Sequence, residues 1–102
     1  MLYQQGDVLI EAVEAIPSNA LPRASRNGRH VLAEGEATGH AHAVVEDVQL
    51  FESGGALYCR AAVPFTMRHE EHKPITVPAG VYQVRRVRMY DPFSDEAMAV
   101  RD

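Results

Sequence analysis

Apolar and polar residues alternate with a period of two in short runs along this chain, and turn signals separate the runs every ~8–12 residues, the pattern of an all-β sandwich or barrel. The runs are Asp7 to Ile16, Arg29 to Glu34, His40 to Val45, Val48 to Glu52, Ala56 to Ala62, Phe65 to Arg68, Pro74 to Val77, and a long one from Val81 to about Tyr90. Ser53-Gly54-Gly55 is a strong hairpin signal, and Pro78-Ala79-Gly80 marks another turn. Pro17 to Gly28, with two prolines, Asn19, Ser25 and Asn27-Gly28, is expected as an exposed loop. The weakest strand is 7–16, where Glu-Ala-Val-Glu-Ala also tolerates a helix.

About eight short strands without a convincing helix predict a small all-β domain, a β-barrel or a double-stranded β-helix, spanning 1–102. Its pairings depend on distant contacts, so folding is expected to be slow. Sheet edges need cover, and the Tyr- and Met-containing last strand is a candidate for a twofold interface, so a homodimer is expected. Tyr82, Tyr90 and Phe93 are expected to fill the core or close one end.

Composition narrows the partners. A formal charge of −4 and a pI near 5.7 argue against a nucleic-acid partner, which needs a concentrated basic face. The densest basic run, Arg85-Arg86-Val87-Arg88, lies in a strand whose alternation splits it between two faces, a solvated sheet edge with one inward-leaning arginine. Cys59 is the single cysteine, which excludes a disulfide framework and suits a small buried hydrophobe. No apolar run approaches the ~20 residues a membrane span needs, and no signal peptide is visible, so a soluble cytoplasmic protein is expected.

The chemistry lies in the histidines. Four of the five sit in two tight pairs, His40-Ala41-His42 and His69-Glu70-Glu71-His72. On an extended strand His40 and His42 project from one face, roughly 6–7 Å apart along it. Ala41, Ala43 and Val45 take the other face, which suits a buried back. If the strand stays regular to Glu46, that carboxylate joins the two imidazoles, giving most of a first-row transition-metal site. In the second pair, an extended strand would put His69 beside Glu71 and turn His72 away, whereas a tight turn would bring His69 and His72 together. Glu70 and Glu71 are candidate catalytic carboxylates, because a metal-bound water needs a nearby base. Two pairs separated by histidine-poor chain are expected to meet at one site. His30, followed by the apolar Val31 and Leu32, reads as structural.

The stretch from Gly35 to Gly54 resembles the first motif of the cupins: glycine, four residues, His40-X-His42, three residues, Glu46, seven residues, glycine. It is one residue shorter in the first gap and one longer in the last than the family pattern. The second cupin motif places a histidine after a Pro-X-Gly turn, and no histidine follows Pro78-Ala79-Gly80. The resemblance implies a double-stranded β-helix with metal held by His40, His42 and Glu46, leaving His69 and His72 as substitutes for the missing ligand. With imidazole and carboxylate donors and no thiolate, Zn, Fe(II), Mn, Ni and Cu(II) are all admissible. Two functions follow: a cupin-like metal-binding protein with a small-molecule ligand or substrate, or a non-catalytic β-barrel interaction module with a structural histidine–carboxylate network.

Overall fold

Strand alternation buries one side of several runs. Val8 and Ile10 are fully buried while the alternate residues Leu9 and Glu11 are half-buried, which defines the strand Val8–Ala12. The computed structural model describes residues 1–35 and 39–87 as ten strands and, within that range, no helix. They are β1 (Leu2–Gln5), β2 (Val8–Ala12), β3 (Leu21–Arg23), β4 (His30–Glu34), β5 (Ala41–Val44), β6 (Val48–Ser53), β7 (Ala56–Ala61), β8 (Phe65–His69), β9 (His72–Val77) and β10 (Gly80–Arg86).

They form two antiparallel sheets, one ordered β1-β2-β10-β7-β6-β3 and the other β4-β5-β8-β9. The sheets share a core: Ile10, Leu50, Cys59 and Tyr82 from the first pack with Leu32, Val44, Phe65 and Met67 from the second. The β6–β7 hairpin turns at Gly54-Gly55, both at positive φ (57° and 81°), as the turn favoured by strand twist requires.

The expected closed barrel gives way to an open sandwich. At each end the facing edge strands, β1 against β9 and β3 against β4, are joined by side chains rather than by a backbone ladder. Gln5 Nε2 donates to Met67 O (2.9 Å) and Lys73 O (2.8 Å), and Arg23 Nη2 donates to Val31 O (3.1 Å). A side-chain bridge satisfies one or two edge carbonyls without fixing a register, so the sheets stay separate.

Two strands escape the alternation analysis. β1 reads Leu-Tyr-Gln-Gln, and nothing in that composition announces that Gln5 is buried. β3 lies inside the stretch expected as a loop, held by pairing to β6 although mostly exposed. The first expected run also ends early, at Ala12 rather than Ile16. β10 runs between β2 and β7, so the arginines sit on a central strand, not on a sheet edge. Arg85 meets Glu11 at 2.6 Å. Met89, Tyr90 and Phe93, invoked above for the core and a dimer contact, lie outside the described residues, as does Arg88. Among the described residues no helix is long and apolar enough to cross a membrane.

Candidate metal centre

His42 is the deepest of the histidines. It sits in β5, where all four side chains are buried, and its own side chain is 2 % exposed. A buried imidazole needs a partner, and Gln5 supplies one, with Oε1 2.9 Å from His42 Nδ1. The direction of that bond is fixed. Gln5 Nε2 already faces two carbonyls, which only an NH2 group can satisfy, so the oxygen faces His42. Nδ1 therefore carries the proton and donates, and the lone pair sits on Nε2. That is how a metal-binding imidazole is held in the right tautomer.

Burial pushes the His42 pKa down to about 4, aided by the charge of His69 and opposed by Asp7. The ring is neutral at physiological pH, the form that binds metal. Asp7 Oδ1 lies 3.7 Å from His42 Nε2, and Arg86 Nε lies 3.4 Å from the other Asp7 oxygen. Arg86 also donates to the carbonyl of Glu34.

His69 and His72 close the β8–β9 hairpin, with Glu70-Glu71 as its turn. They are directly paired in the antiparallel register. Paired residues share a face, so the two rings stand side by side with centroids 4.6 Å apart. This decides between the two geometries the sequence leaves open. His42 reaches the same place from the neighbouring strand, 4.3 Å from the His69 ring and 5.7 Å from that of His72.

Donor atoms of His42, His69 and His72 all lie within 4.8 Å of one another. A tetrahedral ion bound at ~2.0–2.1 Å sets its nitrogens ~3.4 Å apart, so side-chain movements of about 1 Å would bring this set to ligating distance. A second set, His40, His69 and Glu70, meets the same 4.8 Å limit.

Two glycines make room for the rings. A Cβ on Gly6, which has φ +58° in the β1–β2 turn, would lie 2.7 Å from His72 Nε2. On Gly35 it would lie 2.8 Å from His69 Nε2 and 2.9 Å from His40 Cβ.

The remaining expected residues fall at different distances from this centre. His40 precedes β5, and its ring meets that of His69 edge-on at 5.7 Å. Its Nδ1 is 3.4 Å from Glu71 Oε2. Glu46 joins neither three-residue set. The strand ends at Val44, the chain bends at Glu46, and the carboxylate accepts from the Thr66 N–H at 3.2 Å, so the regular strand that would have aligned it with the histidines does not extend that far. Val45, expected on the buried back face, is 56 % exposed for the same reason.

Glu70 Oε1 accepts from the Ala41 N–H at 3.0 Å, and that bond lowers its pKa. A carboxylate held in its charged form is a weaker base than one near neutral pKa. Glu71 is the freer of the two. Its side chain is 64 % exposed, while its N–H donates to His69 Nδ1 at 3.0 Å.

The sequence does not assign Gln5, Asp7 or Arg86 to the site. A turn signal at Gly6-Asp7 is visible, but nothing in one sequence shows that this turn covers His72. No curated protein and no solved structure matches the chain significantly. A family model described as a domain of unknown function (DUF8820) matches residues 4–87, which span both sheets and the whole histidine cluster, and the chain belongs to that family.

Proposed function

We propose that this domain binds one divalent transition-metal ion through His42, His69 and His72. The observation that carries the reading is their convergence from two separate parts of the sequence within 4.8 Å, with His42 neutral and its Nε2 lone pair preset by Gln5. The cupin resemblance suggested His40, His42 and Glu46; the geometry favours the hairpin histidines as partners of His42 instead. A cupin-like double-stranded β-helix is the finer description of the sandwich that accompanies this reading.

Zn, Fe(II), Mn, Ni and Cu(II) all suit imidazole donors. Three protein ligands leave a position for water or a small molecule, the arrangement of catalytic rather than structural sites. Bound there, the ion would supply Lewis acidity. Glu71, exposed at the rim, would take up a proton, and Arg86 pairs with Asp7 at the inner side.

A second reading is a metal-free network within an interaction module. It is favoured by His69 Nδ1, which accepts from the Glu71 N–H and so places the ring proton on Nε2. Elemental analysis of untagged protein, before and after chelator, separates the two. One ion per chain, lost on chelation and absent from His42→Ala but not from His30→Ala, supports the metal site. No ion in any preparation, after incubation with each of the five metals, supports the network.

A further inference from the structure

We infer that the four clustered histidines form one metal site with two overlapping ligand sets, an outer set through which the ion enters and an inner set where it rests. The inference rests on the metal-binding reading above. The outer set is His40, His69 and Glu70, and the inner set is His42, His69 and His72. His69 belongs to both. A neutral imidazole offers one unprotonated nitrogen, so His69 serves one ion at a time unless it loses its second proton. Two divalent ions held against the same ring would also repel strongly, since neither set carries enough charge to offset four positive charges.

Exposure grades along the cluster. The side chains of Glu71, His40 and His42 are 64 %, 27 % and 2 % exposed, in that order inward. Charge grades the same way. Glu70 and Glu71 form an acidic rim, and Glu71 lies 3.4 Å from His40 Nδ1. Inside, three imidazoles meet one carboxylate, Asp7, which Arg86 partly neutralises. An acidic rim concentrates cations and speeds their capture, whereas desolvated imidazoles supply retention. Gly35 lies against His69 Nε2 and His40 Cβ of the outer set, and Gly6 against His72 of the inner set, so a glycine backbone flanks each set.

The test uses the whole untagged chain, stripped of metal and mixed with Co(II), with uptake followed by stopped-flow absorbance and stoichiometry by elemental analysis. At saturation one Co(II) per chain is expected. His40→Ala and Glu71→Gln should slow uptake and release together by about tenfold, the lower end of electrostatic steering, with the affinity within about threefold of wild type. His72→Ala should weaken affinity by more than the ~10–100-fold typical of residues that merely orient a ligand. Glu71→Gln alters an exposed side chain outside both sets, so it carries the test if His40→Ala fails to fold. Two Co(II) per chain, or wild-type uptake rates in the folded variants, would overturn the shared-site inference while leaving metal binding intact. No Co(II) binding by wild type would overturn both.

Discussion

Replacing Gln5 by leucine tests the role given to the most buried polar side chain among the described residues. Gln5 is 1 % exposed and makes three hydrogen bonds, to Met67 O, to Lys73 O and from His42 Nδ1. Leucine removes all three and leaves two buried groups unpaired, with Lys73 O only partly buried. Each buried orphan costs ~1–3 kcal/mol, and the apolar replacement returns ~1 kcal/mol, so a net loss of about 1–5 kcal/mol is expected. That is a large share of the ~5–15 kcal/mol that stabilises a domain of this size. Urea denaturation in the presence of chelator measures it without any metal contribution.

Losing Gln5 also frees His42 to move its proton to Nε2. Metal affinity should then fall ~10–100-fold, or ~1.4–2.8 kcal/mol. Long-range 15N–1H correlation spectra report the tautomer directly, with Nδ1–H expected in the metal-free wild type. Gln5→Glu separates the roles, since a carboxylate facing two carbonyls is retained only when protonated. Its folded pKa is raised, so that variant should lose stability as pH rises. A wild-type His42 protonated on Nε2, or a Gln5→Leu variant within ~0.5 kcal/mol of wild type, would refute the argument.

Acid should destabilise the domain through His42. Its folded pKa of about 4 lies below the unfolded 6.5, so the unfolded chain binds more protons between those values, and stability falls as pH drops through that window. At pH 5 this one residue should cost about 2 kcal/mol relative to pH 7.5, and urea midpoints of wild type and His42→Gln at both pH values check it. Cys59 is fully buried with its thiol pushed up to about 12, so a thiol reagent at pH 8 should label it only after unfolding; stoichiometric labelling of native protein would contradict its place in the core. Gly35→Ala should cost ~1–3 kcal/mol and weaken metal binding, because its methyl would sit 2.8 Å from His69 Nε2 and 3.0 Å from the His40 carbonyl. Unchanged thermal stability and affinity would show that His69 is not held where described.

Much of the β character was legible because it is local. Alternation around Val8 and Ile10, the two glycines at 54 and 55, and the proline before Phe65 each act within a few residues. The convergence of the histidine pairs could be expected on economy alone, and the hairpin at Glu70-Glu71 is what realises it. What stayed hidden depends on contacts across the sandwich. Gln5 looks like a surface residue until β1 is laid against β9, and Asp7 looks like part of a turn until Arg86 arrives from β10. Glu46 matched a motif by spacing, but spacing assumes a regular strand, and the chain bends there to bond Thr66. The barrel expectation failed at the edges, where Gln5 and Arg23 replace the ladder that would have closed it.

The central claim is that His42, His69 and His72 hold one metal ion. Anomalous diffraction from crystals of the untagged protein grown with Zn or Co, collected on both sides of the metal absorption edge, tests it most directly. One anomalous peak per chain is expected, ~2.0–2.2 Å from His42 Nε2 and from a ring nitrogen of each hairpin histidine. A peak elsewhere, or none at this cluster under saturating metal, would contradict it.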